Sequence, residues 1–460
     1  MLPLISRKMP ASRFAHLHDF LLIWAGQLIS SVGSRLSGFA LGIWILRSTG
    51  STTYFAMTFV AMTIPALIIS TVAGALVDRW DRRRTMIACD AISAVIMLAL
   101  AGLCAVGHLT VWHIYLAVGT SSLFNAFHTP AFAASIPLLA RRDELPRVNG
   151  MAQSGNAVAE MIGPLLGGVL VMAMSLQVIL FIDALSFWVS MAALMRANIP
   201  RPESAAGNRR EGLLREAVIG WRYVQERPGL VGLLTIHSSN NFVFSVARVV
   251  ITPLLLSFSD PAGVGVQYAI SGSGLLLGGI GMTLWGAPQK RIYGVLIFSL
   301  LAGVCTAAHG IRPSFTLVAV SGFFLFLMLP VIAASSSSIW QAKVPAGLQG
   351  RCFAIQKMTF YASSVSGYFL AGPLARHLFE PLLQKGGLLA GSIGLIVGVG
   401  PGRGFGLMFI ALGIWMALTA IIGFTAPAIR RIDEMADAFS APLKVAASAT
   451  GLQAEMAAGD

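Results

Sequence analysis

The segment GALVDRWDRRRTM, residues 74–86, is a turn rich in glycine, aspartate and arginine that joins two long apolar segments. An α-helix needs about 20 apolar residues to cross the hydrocarbon core of a bilayer, and both neighbouring segments reach that length. Arginines concentrated in a short loop between such segments are typical of the cytoplasmic side of a membrane protein. The segment therefore predicts an all-α integral membrane protein in which it links the second and third transmembrane helices.

The composition agrees with a membrane protein and disfavours other classes. The 460 residues are 56% hydrophobic and 11% charged, and the net charge of +13 is spread over short loops. A nucleic-acid-binding protein would carry one basic patch, so we expect no nucleic acid partner. The chain has no GxxxxGK[ST] phosphate loop, and its four cysteines form no CxxC pair. We therefore expect no ATP hydrolysis, no metal or cofactor and no enzymatic activity.

Hydropathy divides the chain into twelve candidate spans, with ends uncertain by about four residues. They cover residues 19–46, 53–77, 84–107, 111–134, 149–173, 176–197, 230–257, 264–287, 291–311, 314–337, 352–375 and 405–427. The predicted organisation is an N-terminus (1–18), an N-terminal six-helix half (19–197), a central loop (198–229), a C-terminal six-helix half (230–427) and a tail (428–460).

The distribution of Lys and Arg sets the expected orientation, because cytoplasmic loops are enriched in both. Most of the 32 Lys and Arg residues fall in the termini, the even-to-odd loops and the central loop. Those on the opposite side are Arg47, Arg312, Arg376, Lys385 and Arg403, while Arg35, Arg248 and Lys357 fall within spans. We therefore expect a multi-pass protein of the inner, or plasma, membrane, with both termini and the central loop in the cytoplasm.

Two segments lie outside the confident spans. In the central loop, Leu214, Val218 and Trp221 recur at helical spacing beside basic residues. This pattern predicts either an amphipathic helix on the inner leaflet or a solvated linker helix. The stretch GGLLAGSIGLIVGVG, residues 386–400, is apolar but short and rich in glycine. Because it is too short and glycine-rich for a confident span, we interpret it as an extracellular or re-entrant element; a full span would invert the last helix.

The loop at 74–86 resembles the GxLxDRxGRR motif that the major facilitator superfamily carries between its second and third helices. The matching residues are Gly74, Leu76, Asp78, Arg79, Arg82 and Arg83, and Asp81 stands in place of the second glycine. The resemblance implies a gating loop in which Asp78 binds the N-terminus of helix 11, near Gly350 and Arg351, and closes the cytoplasmic side. The alternative is a basic loop that only sets the topology.

Helix 5 carries a second resemblance, to the GPxxGG motif of antiporters in the same superfamily. It rests on Gly163, Pro164, Gly167 and Gly168, with Gly150 matching an outlying glycine and Ala159 replacing another. Glycines four residues apart let a neighbouring helix approach closely, and a proline can bend the span. Simple close packing is the alternative interpretation of the motif.

Four further segments resemble the drug and siderophore exporters of the superfamily, a branch that includes macrolide-efflux and enterobactin-exporter-like proteins. They are NAFHTPAFAASIP (125–137), ARRDELPRVNG (140–150), GWRYVQERPGL (220–230) and VPAGLQGRCFA (344–354). The arginine that many drug/proton antiporters carry in helix 4 is missing, since residues 111–134 contain no Arg. The resemblance thus implies twelve helices in two halves that transport a small molecule, and leaves the proton route open.

Three helices carry polar side chains on one face, at helical spacing. The stripes are Gln27, Ser31 and Arg35 in helix 1, Ser121, Asn125 and His128 in helix 4, and His237, Asn241, Ser245 and Arg248 in helix 7. The resemblance places these helices around a central cavity. We predict Gln27, Arg35, Asn125, His128, His237, Asn241 and Arg248 as substrate-cavity residues. Interhelical hydrogen bonding is the alternative for any single one.

Charged residues inside spans are a strong functional signal, because each costs about 2.5 to 3.5 kcal/mol at the centre of a helix unless it is compensated. At about 1.5 Å per residue, Glu160 lies roughly 16 Å from the cytoplasmic end of helix 5, and Arg35 lies about 8 Å deeper. We predict that the two interact and that Glu160 is a proton-coupling site, with a permanent ion pair as the alternative. Asp183 in helix 6 is a second candidate, although its span, like that of Asp90, is peripheral in the superfamily and suits a scaffold.

The sequence thus predicts a secondary transporter that exports an amphipathic small molecule, such as a drug, macrolide, siderophore or secondary metabolite, in exchange for protons. Alternatives are a sugar-type nutrient symporter and a lipid or lysolipid transporter. A membrane enzyme or a receptor is disfavoured, because no catalytic constellation or folded extramembrane domain is visible in the sequence. The expected partners are the substrate, protons and membrane lipids, with the protein acting as a monomer.

Overall fold

The computed structural model describes residues 17–77, 80–141, 144–199, 220–286, 288 and 290–434. Twelve long helices, α1 to α12, account for most of this part of the chain, which contains no strand. Their bounds are α1 His18–Thr49, α2 Thr52–Val77, α3 Arg82–Ala105, α4 Val111–Leu139, α5 Leu145–Ala173, α6 Leu176–Arg196, α7 Pro228–Leu256, α8 Pro261–Trp285, α9 Arg291–Ile311, α10 Phe315–Lys343, α11 Ala346–Pro373 and α12 Arg403–Thr425. The predicted all-α membrane fold is confirmed.

Ten of these helices are long and apolar enough to cross a membrane. The other two, α4 and α11, are equally long but more polar, with residues such as Asn125 in α4 and Lys357 in α11. Both pack against apolar helices, α4 against α2 and α3, and α11 against α7 and α2. Their polar faces can therefore point into the protein instead of toward lipid, which makes them part of the same bundle.

The ends of several helices follow from local capping chemistry. Asp81 accepts a hydrogen bond from the Arg84 backbone N–H at 3.1 Å and so caps the N-terminus of α3. Asp260 caps α8 in the same way, accepting from the Gly263 N–H at 2.7 Å. Asp81 has φ −68° and ψ 110°, so the turn requires no left-handed residue at this position. The aspartate that replaces the superfamily's glycine is thus a helix cap.

Some helices extend beyond the spans predicted by hydropathy. α4 ends at Leu139 instead of 134, α10 ends at Lys343 instead of 337, and α11 begins at Ala346 instead of 352. Hydropathy detects only the apolar part of a helix, whereas backbone hydrogen bonding continues into the polar ends at the membrane surface. The predicted bounds of these three helices were therefore wrong by more than the expected margin.

The first six and the last six helices pack by the same scheme. In the first set, α1 packs against α5 and α6, α3 packs against α4 and α6, and α2 packs against α4. In the second set, α7 packs against α11 and α12, α9 packs against α10 and α12, and α8 packs against α10. Adding six to each helix number converts one scheme into the other. The chain therefore contains a structural repeat of six helices, which defines its two halves.

The halves meet through two helix pairs, α2 with α11 and α5 with α8. Small residues bring the backbones together: a Cβ on Gly168 would lie 2.5 Å from the Pro261 carbonyl oxygen, and one on Gly372 would lie 2.5 Å from the Thr53 Cα. Both contacts lie on the side of the molecule where α1 ends and α2 begins, which we call the distal face. We call the opposite side, where α1 begins and α12 ends, the terminal face.

The stretch 386–400 does not span the bundle. It contains turns and a four-residue helix, Gly394–Val397, between the end of α11 and the start of α12. Its chain folds back on the distal face, where the Gly400 N–H donates to the Leu383 carbonyl at 2.9 Å. The last helix therefore keeps its predicted direction.

Most of the central loop, residues 200–219, lies outside the described residues, and so does the predicted periodicity of Leu214 and Val218. The described part begins at Gly220, and Val224 is fully buried against the second half. After α12, Ile432 is also fully buried, and the Asp433 carboxylate accepts from the Ile292 N–H at 3.0 Å. The beginning of the tail is thus fixed to the start of α9.

The closest helix contact in the second half gives a test of the packing. A Cβ on Gly310 of α9 would lie 1.9 Å from the Gly406 carbonyl oxygen of α12, a backbone atom that cannot move independently. Gly310→Ala should therefore destabilise the detergent-solubilised protein by about 1–3 kcal/mol and lower its melting temperature. Gly279→Ala in α8 is the control, since its Cβ would meet no atom within 4 Å. Equal melting temperatures for the two variants would contradict this packing.

Candidate functional site

Three charged side chains from both halves meet in the middle of the bundle. Arg35 of α1 and Glu160 of α5 form an ion pair, with 2.8 Å between Nη2 and Oε1. Arg248 of α7, in the other half, approaches the second carboxylate oxygen of Glu160 at 3.9 Å. All three side chains remain partly accessible, at 44%, 38% and 45%. We call this cluster the charged triad.

The predicted contact between Arg35 and Glu160 is present, but their depths differ from the expectation. Since α5 begins at Leu145 instead of 149, Glu160 lies roughly 22 Å from the start of its helix at about 1.5 Å per residue, and Arg35 roughly 25 Å from the start of α1. Gly163, three residues beyond Glu160 on α5, packs against Arg35, so the Arg35 backbone lies about 4.5 Å deeper than that of Glu160, roughly half the predicted offset.

The glycines of the helix-5 motif make this contact possible. A Cβ on Gly163 would lie 2.3 Å from the Cβ of Arg35, and one on Gly167 would lie 3.2 Å from the Leu36 carbonyl oxygen. Gly168 faces the other side, against Pro261 of α8, while the Pro164 carbonyl lies against Gly265 of the same helix. The motif therefore packs α5 against α1 in its own half and against α8 in the other half. This segment of α5 therefore both packs closely against its neighbours and lies beside the charged triad.

Aromatic side chains form the wall around Arg248. Its guanidinium carbon lies 5.9 Å from the centre of the Phe59 ring, and Phe59 stacks on Tyr368 with 5.2 Å between ring centres. Tyr268 hydrogen-bonds Thr252 at 3.3 Å and meets Phe39 edge-to-face at 6.3 Å. Phe59 and Tyr368 come from different halves, so this wall also closes the bundle on the distal side of the triad.

Two predicted cavity residues, Gln27 and His128, belong instead to a buried cluster inside the first half. Gln27 Nε2 donates to Ser190 Oγ at 2.8 Å, and Ser190 donates to Asp90 at 2.7 Å. His128 Nε2 lies 3.4 Å from the other oxygen of Asp90, and the two side chains are 12% and 5% accessible. This cluster joins α1, α3, α4 and α6. It compensates Asp90 internally, which agrees with the scaffold role expected for that residue.

Asp183, the second proton-coupling candidate, is fully buried between α1 and α6. Its carboxylate accepts hydrogen bonds from the hydroxyls of Ser37 and Ser186. It lies apart from the triad and contacts the helix that carries Arg35 through Ser37. A role for Asp183 in proton transfer stays a prediction.

The remaining predicted cavity residues lie on α4 and α7. Asn125 is exposed on α4 and its side-chain oxygen lies 3.5 Å from the Thr129 hydroxyl. Asn241 links α7 to α11 by donating to the Phe360 carbonyl at 2.8 Å and to Ser364 at 2.7 Å. His237 lies one turn away from Asn241 and faces the Phe360 ring at 6.2 Å.

His237 and Asn241 line a recess in the second half, between α7, α9, α10 and α11. Its volume is about 600 Å³ including the open side, and its other walls are Leu233, Ile236, Asn240, Phe244, Val295, Leu329, Ile332, Ala333, Ser336 and Phe360. Two of its polar atoms, Asn240 Oδ1 and Ser336 Oγ, are buried and have no hydrogen-bond partner in the described structure. The recess is thus mostly apolar, and its two unpaired polar atoms are buried.

The gating loop is described only in part. Arg82 Nη1 donates to the Ala134 carbonyl at 2.9 Å, and Arg83 Nε donates to the Leu194 carbonyl at 2.8 Å. Arg83 satisfies one of the last carbonyls of α6, Arg82 binds a carbonyl five residues before the end of α4, and together they hold the loop to the first half. Asp78 and Arg79 lie outside the described residues, and Gly74 lies near the end of α2. The predicted contact of Asp78 with α11 stays a prediction.

Sequence reasoning missed Phe59, Tyr268 and Tyr368, which surround the triad. The chain has 26 Phe but only 7 Tyr. A tyrosine inside a transmembrane span was therefore the sequence signal that could have identified Tyr268 and Tyr368. A tyrosine hydroxyl in an apolar helix needs a polar partner, and Tyr268 finds one in Thr252. Phe59 gave no such signal, because phenylalanine is as common on lipid-facing surfaces as it is in cavities.

The chain belongs to the transmembrane secretion effector family of the major facilitator superfamily, whose family model matches residues 11–407. It is 26% identical over 346 residues to macrolide efflux protein A of Streptococcus pyogenes, covering 73% of this chain and 84% of that protein. It is 24% identical over 423 residues to the multidrug efflux pump Tap of Mycolicibacterium fortuitum, covering 90% and 97%. The resemblance inferred from the motifs is confirmed, and the protein is a multi-pass membrane transporter, not an enzyme.

The fold is similar to solved transporters. A bacterial homologue of the human lysosomal transporter Spinster, in an inward-facing and unoccupied conformation, superposes with a TM-score of 0.64 at 14% identity, covering 91% of this chain and 97% of that chain. The POT family transporter PepTSo gives a TM-score of 0.66 at 10% identity, covering 91% of this chain and 99% of that chain. At these identities the similarity defines the fold alone.

The packing of Gly163 against Arg35 gives a test of the site. Gly163→Ala would place a Cβ 2.3 Å from the Arg35 Cβ, so α1 must shift away and the pair with Glu160 should lengthen. We expect a loss of about 1–3 kcal/mol in stability, seen as a lower melting temperature, together with slower transport. Gly150→Ala is the matched control, because it lies in the same helix and its Cβ meets no atom within 4 Å. If both variants behave alike, Gly163 does not position Arg35.

Proposed function

We propose that this transporter exports an amphipathic small molecule, of the drug, macrolide or siderophore kind, in exchange for protons. The observation that carries the proposal is the charged triad, in which one carboxylate, Glu160, contacts arginines of both halves. The names of the efflux relatives support the direction and the kind of cargo. We further propose that both termini are cytoplasmic, as the distribution of Lys and Arg indicates. The terminal face is then the cytoplasmic face.

Alternating access follows from this orientation. The halves touch at mid-membrane and on the distal face, through α2 with α11 and α5 with α8, so the cavity opens toward the cytoplasm. A cargo would enter from the cytoplasm or the inner leaflet and reach the triad. Rocking of the halves would then open the distal contacts and close the terminal face, as expected for carriers built from repeats around a midplane site.

Glu160 suits the role of a proton site because its charge state changes the interaction between the halves. The ionised carboxylate attracts Arg35 and Arg248, whereas a protonated Glu160 no longer pairs with either. Protonation therefore changes the relative free energy of the two conformations. A cargo with hydrogen-bond donors or a cationic group binds the ionised form best, so proton and cargo compete for the same group. Such competition is the requirement for exchange.

The cavity also fits an amphipathic cargo. Phe59, Tyr268 and Tyr368 lie beside the triad, and the recess near His237 adds an apolar surface with two unpartnered polar atoms. A cargo with a bulky apolar body and a few polar groups matches both the surroundings of the triad and the recess. A sugar would need many paired polar groups, and the walls of this recess offer few.

Glu160→Gln tests the coupling. The amide keeps the size of the side chain but cannot be ionised, so export driven by a pH gradient should be abolished, and the cargo binding that remains should be weaker and independent of pH. The measurement is flux of a panel of macrolides, siderophores and lysolipids in proteoliposomes, beside the melting temperature in detergent. Asp183→Asn is the control for the second candidate, and we expect it to retain the pH-gradient response.

Two results would contradict this role of Glu160. A folded Glu160→Gln protein that exports at the wild-type rate with unchanged pH dependence would exclude it as the proton site. A large fall in melting temperature with normal pH dependence would identify a static partner of the two arginines, since removal of its charge leaves them uncompensated.

A cross-link on the distal face tests alternating access. A Cβ on Gly372 would lie 3.0 Å from the Thr53 Cβ and 2.5 Å from its Cα, so α2 and α11 must separate slightly to reach the distance of about 3.5–4.5 Å in a disulfide, after which Thr53→Cys with Gly372→Cys should cross-link. The four native cysteines are first replaced by serine. Oxidation should stop export, and reduction should restore it. Each single variant serves as the control, and full transport by the oxidised double variant would contradict rocking of the halves.

A further inference from the structure

The segment between α11 and α12 carries an apolar ridge on the distal face. Leu388, Leu395 and Ile396 are 89%, 81% and 65% exposed, and Val399 is 40% exposed. No charged residue occurs from 386 to 402. A polar loop that merely connected two helices in water would not present its aliphatic side chains in this way.

The ridge is the outer surface of a folded element, not a flexible loop. Beneath it, Leu383 and Val397 are fully buried against Leu407 of α12. The Gly402 N–H donates to the Glu380 carboxylate at 3.1 Å, and Arg403 Nη1 donates to the Val397 carbonyl at 3.3 Å. The element therefore holds its ridge outward without help from another molecule.

The surroundings of the ridge indicate what covers it. Arg376, His377 and Lys385 are exposed beside it, while the nearby acid, Glu380, is occupied by the Gly402 N–H. Aliphatic side chains bordered by basic ones fit the boundary between acyl chains and anionic headgroups. The ridge also continues the apolar outer surface at the end of α11, where Phe369 and the following Leu378 are 56% and 48% exposed.

We propose that residues 386–400 form a monotopic lipid anchor that inserts Leu388, Leu395 and Ile396 into the leaflet on the distal face. The segment is too short to cross the bilayer, and it lies against the start of α12 as a wedge. Its position beside α11, a helix that joins the two halves, makes the lipid interface part of the distal closure. This inference is independent of the cargo and of proton coupling.

Spin labels can measure the depth of the ridge. Leu388→Cys and Leu395→Cys, in protein whose four native cysteines are replaced by serine, carry a nitroxide in proteoliposomes containing phosphatidylglycerol. Collision rates with oxygen, which concentrates in lipid, and with a water-soluble nickel chelate are compared. Phe369→Cys is the control for lipid, and His108→Cys, exposed on the loop between α3 and α4, is the control for water. We expect the oxygen-to-nickel ratio at both ridge positions to exceed that at His108 several-fold.

Two outcomes would overturn the proposal. A ratio equal to that at His108 would show that the ridge faces water. Low collision rates with both reagents would show that protein covers it, either a second copy or another partner. The contribution of the basic border is tested by replacing phosphatidylglycerol with phosphatidylcholine, which should make the labels shallower. Leu388→Glu, whose side chain is 89% exposed, should fold normally and lower the ratio at Leu395.

Discussion

A charge placed in the middle of a membrane protein must be compensated by an opposite charge or by polar groups, and the centre of this structure depends on that constraint. Glu160 satisfies two arginines at once, one from each half. The glycines of α5 are required because a larger side chain at Gly163 would keep Arg35 away. The helix-5 motif, the meeting of the three side chains and the approach of α1 to α5 are thus consequences of one electrostatic need.

The acidic residues inside the bundle meet this need for compensation in two different ways. Asp90 and Asp183 are held by neighbours of their own half, a histidine and serines, and are almost inaccessible. Glu160 is 38% accessible, and one of its two arginine partners, Arg248, belongs to the other half. A compensated acid inside a rigid half stabilises that half, whereas one shared between halves responds to their separation. Accessibility and the identity of the partner therefore distinguish scaffold from candidate site better than burial alone.

The order of the helices and the pairing of Arg35 with Glu160 could be predicted from sequence, because apolar length and the cost of a charge are local properties. The positions of the Gln27 and His128 side chains could not be predicted from sequence. They depend on how α1, α3 and α4 rotate about their axes and bring Asp90 between them. The contact of Arg248 with Glu160 required the relative placement of the halves. The extent of α4, α10 and α11 was missed because backbone hydrogen bonding does not stop where hydropathy falls.

The six-helix repeat has a consequence for the charged centre. α1 and α7 are equivalent helices of the two repeats, and each supplies an arginine, but only the first repeat supplies an acid. Two quasi-equivalent cations thus share one anion, at 2.8 Å and 3.9 Å. The architecture is nearly symmetric while its charge is not. Such broken symmetry gives the shared carboxylate two alternative partners, and moving from one to the other requires only a small displacement.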